Sequence, residues 1–207
     1  MKRVLCFGDS NTWGYNPATG DRFDRDVRWP GALRRVLGAG FEVIEEGLNG
    51  RTTVWDDPIE GYKNGRSYLI PCLESHRPLD LVVILLGTND LKRRFSLTAF
   101  DVAQGAGVLV RDVQRSEAGR GGAAPALLLL APPPVATLTY FGQMFDGAVE
   151  KSQRLGHYYR LVAEELGCHF LDTATVITSS DLDGIHFEAA EHARLGEAVA
   201  KMVLQLA

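Results

Sequence analysis

Cysteine is scarce in this sequence of 207 residues, and the three cysteines that occur lie far apart. Cys6, Cys72 and Cys168 are odd in number and include no Cys-x-x-Cys pair. Neither a disulfide framework nor a zinc knuckle is therefore indicated. We expect the three side chains to be free thiols in the interior.

Long apolar runs and concentrated positive charge are also missing. The first apolar run ends at Gly8, too short for a signal peptide or a membrane span, which predicts a cytoplasmic location. Lys and Arg total 22 against 26 Asp and Glu and are scattered along the chain, which argues against nucleic acid or anionic lipid as partners. We expect small-molecule partners and, from the length, one globular domain over 1–207.

Short apolar runs do recur, with longer segments of helical periodicity between them. This alternation predicts parallel strands joined by right-handed crossover helices. The expected fold is α/β, a three-layer α/β/α sandwich around a flavodoxin-like five-stranded parallel sheet of order 2-1-3-4-5. The predicted strands are Val4 to Phe7, Phe41 to Glu45, Leu79 to Leu86, Ala126 to Ala131 and Cys168 to Leu171. The predicted helices are Trp29 to Leu37, Gly65 to Ser75, Leu97 to Arg115, Glu150 to Leu166 and Glu188 to Leu206, with Gly119 to Pro125 as a flexible surface connection.

Polar residues follow several of the predicted strands. Ligands of doubly wound sheets bind at the carboxyl ends of the strands, so these residues are the candidates for chemistry. They are Gly8-Asp9-Ser10-Asn11, Glu46-Gly47-Leu48-Asn49-Gly50, Gly87-Thr88-Asn89-Asp90 and, after the fifth strand, Asp183-Gly184-Ile185-His186.

Ser10, His186 and Asp183 have the chemistry of a nucleophile, its general base and the group that orients the base. Gly184 allows a tight turn, so Asp183 can accept a hydrogen bond from His186. Taken alone, Ser10 is as compatible with a helix N-cap as with a nucleophile. An isolated Asp-x-x-His is usually a pair of polar residues in a surface loop.

Acyl transfer also needs donors for the oxyanion of the tetrahedral intermediate. The amides of Ser10 and Gly47 and the side-chain amide of Asn89 come from three neighbouring strand ends and can converge beside the serine. Each has a plainer interpretation, an Asx-turn for Asn89 and a turn glycine for Gly47.

Taken together, Gly8-Asp9-Ser10, Gly47, Gly87-x-Asn89-Asp90 and Asp183-x-x-His186 resemble the four ordered sequence blocks of the SGNH (GDSL-type) hydrolases. The resemblance covers nearly the whole chain. It implies the flavodoxin-like sandwich, a Ser/His/Asp mechanism without metal or cofactor, and an oxyanion hole made by Ser10, Gly47 and Asn89. Because the serine is not in Gly-x-Ser-x-Gly, the α/β-hydrolase elbow is not indicated.

Within that family the chain is most similar to the arylesterase and acyltransferase branch. The similarity rests on Cys6 to Gly14, Val27-Arg28-Trp29, Val43 to Leu48, Arg51-Thr52-Thr53 and Asp56-Asp57-Pro58. It implies hydrolysis of short-chain aryl and alkyl esters, acyl transfer or perhydrolysis as a side activity, and a homo-oligomer. Polar Asn11 stands where acyltransferases carry an apolar residue, so hydrolysis is the safer expectation.

Several residues are weaker candidates for substrate contacts. Asn11, Thr88 and Ile185 adjoin the catalytic blocks, and the aromatic side chains of Trp13, Tyr15, Phe141 and Phe145 are suited to wall a pocket or to form an interface. Arg51, Asp56 and Arg93 are candidates for charges at the rim of the site, although surface or intersubunit pairs are the preferred explanation. The remaining histidines, His76, His157, His169 and His192, are expected to form no metal cluster with Asp or Glu.

Two other functions remain open. A carbohydrate O-acetyl esterase would use the same machinery on an acetylated sugar. A flavodoxin-like module that binds a phosphate ligand at Gly8 to Asn11 would need no catalysis, but it leaves Asn89 and the Asp183/His186 spacing unexplained.

Overall fold

A computed structural model describes residues 1–206, and its sheet is parallel throughout. The strands are β1 (Lys2–Gly8), β2 (Phe41–Gly47), β3 (Leu81–Leu85), β4 (Ala126–Ala131) and β5 (His169–Asp172). Their order is β2-β1-β3-β4-β5, which confirms the predicted topology. The order reverses beside β1, so the carboxyl ends of β1, β2 and β3 are neighbours at the switch point.

Side chains alternate between two cores along the strands. In β1, Leu5 and Phe7 point into one apolar cluster, whereas Val4 and Cys6 point into the other. The central strand β3 is buried along its whole length, as expected for a strand covered on both faces. The helices therefore form a layer on each face of the sheet.

The sheet is covered by helices, and all but the short first helix correspond to predicted segments. They are α1 (Ser10–Trp13), α2 (Trp29–Leu37), α3 (Gly65–His76), α4 (Ala99–Gln114), α5 (Ala148–Ser152), α6 (Leu155–Leu166) and α7 (Ala189–Leu206). Short 3₁₀ turns occupy Gly38–Gly40, Asn89–Leu91, Arg93–Phe95, Arg120–Gly122 and Thr173–Thr175. Helices α2 and α7 pack together on one face, and α4 and α6 on the other.

Two predicted helix bounds were wrong for identifiable reasons. Helix α4 begins at Ala99 because Thr98 and Asp101 form a capping box that fixes its first turn. The predicted segment Glu150 to Leu166 is divided between α5 and α6. At the end of α5 the Ser152 hydroxyl donates back to the carbonyl of Val149 and accepts from the amide of Val135, a local hydrogen bond of the kind that bends helices.

The connection Gly119 to Pro125 lies at the surface and is more ordered than a featureless loop. It contains a 3₁₀ turn, and Arg120 Nε lies 2.6 Å from Asp80 Oδ1. Among the helices within residues 1–206, none is both long and apolar enough to cross a bilayer.

Candidate active site

The segment after β5 holds His186 and Asp183 in a fixed mutual geometry. Asp183 Oδ2 lies 2.7 Å from His186 Nδ1, and Asp183 Oδ1 accepts the backbone amides of Ile185 and His186. Gly184 makes this turn possible because its φ is +85° and a Cβ there would lie 2.8 Å from the carbonyl oxygen of Thr137. The carboxylate is thus held by the backbone while it orients the imidazole.

Ser10 lies opposite this pair, at the end of β1. Its Oγ is 2.9 Å from His186 Nε2, which completes a Ser10, His186 and Asp183 chain of hydrogen bonds. Ser10 is the first residue of α1 and not its N-cap, because Asp9 holds the cap position and accepts the amide of Asn11 at 2.9 Å. The hydroxyl of Ser10 is left to the imidazole.

Burial and hydrogen bonding shift the pKa of the Asp183 carboxyl group in opposite directions. Burial raises its pKa, but the hydrogen bond and charge of His186 and the two backbone amides outweigh burial and leave the pKa below its usual value. Asp183 is therefore ionised at neutral pH, as an orienting group for an imidazolium must be. Tyr15 stacks on the imidazole with ring centroids 4.0 Å apart.

The three predicted oxyanion donors lie at adjacent strand ends. Gly47 pairs in register with Gly8, and a Cβ on Gly47 would lie 2.1 Å from the amide nitrogen of Trp13, so α1 packs directly on this glycine. Asn89 Nδ2 donates to the carbonyl of Arg51 at 3.1 Å and to Asp9 Oδ2 at 3.5 Å. Ser10 and Asn89 line one cavity, whereas Gly47 lines the neighbouring one.

The cavity at Ser10 and His186 has a volume of about 140 Å³ and a mixed lining. Its apolar and aromatic residues are Tyr15, Phe141, Met144, Phe145 and Ile185. Its other residues besides Ser10 and His186 are Asn49, Gly50, Glu60, Asn89 and Lys92. Such a space is small beside the roughly 300–1,000 Å³ of drug-sized ligand pockets.

The predicted pocket residues divide into two groups. Tyr15, Phe141, Phe145 and Ile185 line the cavity at the triad. Asn11, Trp13 and Thr88 are outside the lining that the described residues form. Asn11 is buried and donates to the carbonyl of Ile185 at 3.3 Å, so it joins α1 to the histidine loop.

Of the cavity's polar residues, Glu60 and Lys92 were not predicted from the sequence, whereas Asn49 belongs to the predicted segment after β2. Lys92 is 2% exposed and its Nζ lies 2.5 Å from Glu60 Oε1 and 3.6 Å from Asp57 Oδ2. Asp57 also pairs with Arg94 at 2.9 Å. These ion pairs bind the loop after β2 to the segment after β3, a contact between distant parts of the chain.

Two carboxyl groups, Asp9 and Asp90, are buried beneath Ser10 and Asn89. Burial raises the pKa of Asp9 to about 7, with the negative charge of Asp90 adding to the effect and the amide of Asn11 opposing it. Burial likewise raises the pKa of Asp90 to about 6, although its hydrogen bonds with Thr53 favour the ionised form.

The three candidate rim charges occupy different positions. Arg51 is 3% exposed, so its placement at the rim was wrong; its Nη1 donates to the carbonyls of Gly8 and Glu46. Asp56 accepts from Asn64 at 3.2 Å on the surface. Arg93 lies 3.9 Å from Asp146, where both side chains are exposed.

The expectation that the other histidines form no cluster with Asp or Glu was also wrong. His76 Nε2 lies 2.8 Å from Glu46 Oε1, and Cys72 completes a group whose donor atoms lie within 4.8 Å of one another. His192 has a structural place, because its Nδ1 accepts the amide of Trp29 at the start of α2. Burial lowers the pKa of His192 to about 3, so the ring is neutral.

Comparison with known proteins gives a family and several similar structures. A model of the GDSL-like lipase/acylhydrolase family matches residues 6–194. The native aryl esterase of M. smegmatis is 46% identical with a TM-score of 0.96, and each chain is covered completely. Est24, a carbohydrate acetylesterase from Sinorhizobium meliloti, is 42% identical with a TM-score of 0.96 over 100% of both chains. A carbohydrate acetylesterase family member from the same organism is 38% identical with a TM-score of 0.94, covering 100% of this chain and 99% of the other. No curated protein sequence matches the chain.

Proposed function

The chain belongs to the GDSL-like lipase/acylhydrolase family and is a carboxylic ester hydrolase, and from this premise we propose that Ser10 forms the acyl-enzyme in hydrolysis of short-chain esters. The observation that carries the proposal is the chain of hydrogen bonds from Ser10 Oγ through His186 to Asp183. A serine beside a base of this kind is an activated nucleophile.

In the proposed mechanism, Ser10 Oγ attacks the carbonyl carbon as its proton passes to His186 Nε2. The oxyanion accepts hydrogen bonds from the amides of Ser10 and Gly47 and from Asn89 Nδ2, which gives up its long contact with Asp9. His186 then protonates the departing alcohol as the ester bond breaks. A water molecule then attacks the acyl carbonyl as His186 takes its proton; the bond to Ser10 Oγ breaks, His186 returns the proton to Ser10 Oγ and the acid leaves.

Replacing Ser10 with alanine tests this assignment. Ser10→Ala is expected to abolish turnover of p-nitrophenyl acetate and labelling by a fluorophosphonate, because the attacking oxygen is gone. Circular dichroism checks that the variant is folded, and Ser116→Ala is the matched control that keeps full activity. Retained activity in Ser10→Ala would exclude the mechanism, and phosphate-ligand binding without fluorophosphonate labelling of the wild type would favour a binding module.

The size and lining of the cavity support a small acyl group. A space of about 140 Å³ between the catalytic serine and Phe141, Phe145 and Ile185 suits an acetyl-type group better than a long chain. We therefore expect kcat/KM for p-nitrophenyl esters to fall as the acyl chain lengthens from acetate to octanoate.

A carbohydrate acetylesterase is the second candidate, and the polar residues of the cavity favour it. Asn49 lines the cavity, and within residues 1–206 its Oδ1 is enclosed without a hydrogen-bond donor. Glu60, whose Oε1 accepts from Lys92 and Arg94, is another polar residue of the lining. A sugar hydroxyl would donate to Asn49 Oδ1, whereas a phenyl ring has no donor for it.

Substrate comparison in an Asn49 variant separates the two candidates. For a sugar esterase, Asn49→Ala should reduce kcat/KM on acetylated xylose, because it removes a hydrogen bond to a sugar hydroxyl that contributes about 1 kcal/mol. Hydrolysis of p-nitrophenyl acetate, which has no such hydroxyl, should stay within about threefold of wild type. Equal effects on both substrates would count against sugar recognition by Asn49.

Acyl transfer, assembly and location are further proposals. We propose that hydrolysis exceeds acyl transfer, and the ratio of acid to ester product in a mixture of water and alcohol measures this balance.

We propose a homo-oligomer because large apolar side chains are exposed at Trp55, Ile59 and Tyr62 on the loop after β2, and light scattering gives the mass of the assembly. The free thiols of Cys6, Cys72 and Cys168 support a reducing, cytoplasmic setting, which fractionation of cells tests.

A further inference from the structure

Helix α3 and strand β2 bring three metal-ligating side chains together outside the catalytic triad. Cys72 and His76 are four residues apart on α3, so they lie one turn apart on the same face. Glu46, the penultimate residue of β2, faces them, with its Oε1 2.8 Å from His76 Nε2. The three donor atoms Glu46 Oε, Cys72 Sγ and His76 Nε2 all lie within 4.8 Å of one another.

These donors suit a zinc-type ion. Zn²⁺ binds histidine nitrogen, cysteine sulfur and carboxylate oxygen at about 2.0–2.3 Å, which puts its ligand atoms roughly 3.5 Å apart in a tetrahedron. Before any ion enters, the three donor atoms already lie within 4.8 Å of one another, and Glu46 Oε1 and His76 Nε2 are closer than the tetrahedral spacing. Small shifts of the His76 and Glu46 side chains suffice, since both residues are partly exposed and Cys72 is the fixed, fully buried member.

The surroundings of the cluster resemble the outer shell of a metal site. The hydroxyl of Tyr68, one turn before Cys72 on α3, donates to the other oxygen of Glu46 at 3.3 Å. Hydrogen bonds of this kind orient metal-ligating carboxylates. The Arg51 guanidinium lies over the Tyr68 ring, 5.3 Å from its centroid. With an ion bound, the negative charges of Glu46 and the Cys72 thiolate would offset the positive charges of the ion and of Arg51.

We propose that Glu46, Cys72 and His76 form a binding site for a divalent transition-metal ion of the zinc class. Three protein ligands leave a fourth tetrahedral position for water. Glu46 also lines a cavity of about 840 Å³ that lies beside the catalytic one, so an ion has a path to the carboxylate from solvent. The site shares no residue with Ser10, His186 and Asp183. Binding takes the proton from the Cys72 thiol and breaks the His76 to Glu46 hydrogen bond.

Cobalt substitution tests the proposal through a signal that requires the thiolate. The full-length protein, freed of metal with a chelator and titrated with Co²⁺, is expected to show a sulfur-to-cobalt charge-transfer band that saturates at one ion per chain. Zn²⁺ should displace the cobalt and remove the band. Neither measurement depends on esterase activity, so failure of this proposal is distinguishable from failure of the proposed function.

Variants assign the band to the cluster. Cys72→Ser should abolish it, and His76→Gln should weaken Co²⁺ binding at least tenfold. If Cys72→Ser does not fold, His76→Gln tests the site in its place, because His76 is partly exposed and its replacement disturbs the fold less. Cys168→Ser and His157→Gln are matched controls outside the cluster and should bind as wild type does. The absence of a band from the wild type, or its loss in Cys168→Ser with retention in Cys72→Ser, would overturn the proposal.

Discussion

Asn89 donates to two protein acceptors in the free enzyme. Its bond to the carbonyl of Arg51, at 3.1 Å, fixes the side chain, and its contact with Asp9, at 3.5 Å, is at the limit of a hydrogen bond. The amide is thus held in place by one acceptor and is available to a stronger one. An oxyanion is such an acceptor, because hydrogen bonds to charged groups are stronger than those to neutral groups.

Asn89→Ala should therefore impair the chemical step. We expect kcat on p-nitrophenyl acetate to fall by roughly 10² to 10³, the usual effect of losing one oxyanion donor. KM should change little, since the oxyanion forms after binding. Steady-state kinetics measure both constants. Asn49→Ala, in the same cavity, is the control with nearly normal kcat on this substrate, and a loss below threefold in Asn89→Ala would exclude Asn89 from the oxyanion hole.

At the scale of elements, His192 connects the two helices of one layer. It lies on α7, and its neutral Nδ1 accepts the amide of Trp29 at the start of α2, at 3.2 Å. Helix α2 has no side-chain cap of its own among the described contacts. A residue distant in sequence therefore satisfies one of the amides that every helix leaves unpaired at its beginning.

Comparison of two His192 variants isolates this hydrogen bond. His192→Ala leaves the Trp29 amide buried without an acceptor, which should cost about 1–3 kcal/mol in the free energy of unfolding. His192→Asn also loses the ring but places an oxygen near the former Nδ1, so it should be more stable than His192→Ala by about 1 kcal/mol. Urea unfolding measures both. Equal stabilities would show that ring packing, and not the hydrogen bond, is what His192 contributes.

Local patterns of the sequence predict the elements well, and they name the three residues that the structure joins by hydrogen bonds, Ser10, His186 and Asp183. Strand β3 is buried on both faces because Leu81 to Leu85 are all apolar, and the sheet order follows from right-handed crossovers. The predicted triad then depends on one short turn at Gly184 and on the position of Ser10 at a strand end. Both are local features, so a single sequence contains them.

Contacts between segments that are distant in sequence could not be predicted from local sequence patterns. Lys92 and Glu60 are 32 residues apart, and nothing in either neighbourhood indicates that they pair in the wall of the catalytic cavity. Cys72 lies on the predicted helix Gly65 to Ser75 and His76 directly follows it, but their partner Glu46 belongs to another element. Asn11 adjoins the nucleophile in sequence, yet the turn of α1 directs it to the carbonyl of Ile185.

At the scale of the whole molecule, buried carboxyl groups make stability depend on pH in opposite directions. The pKa of Asp183 is lowered in the folded state, so its stabilising contribution is present above about pH 4 and is lost as pH falls further. The pKa of Asp9 is raised to about 7, so its contribution is full below about pH 4 and is lost as pH rises through 7. Asp90, raised to about 6, acts in the same direction as Asp9.

Asp9→Asn should reduce the loss in the free energy of unfolding as the pH rises from 5 to 8. In the wild type, the folded state retains protons on Asp9 and Asp90 that the unfolded chain has released, so the free energy of unfolding should fall from pH 5 to pH 8. Asparagine cannot ionise and still accepts the amide of Asn11, so the fall should be smaller in the variant, with the remainder due to Asp90. Urea unfolding at pH 5, 6, 7 and 8 gives the slope for each protein. Asp24→Asn, at an exposed position, should reproduce the wild-type slope, and an unchanged slope in Asp9→Asn would mean that Asp9 is already ionised in the folded protein at pH 5.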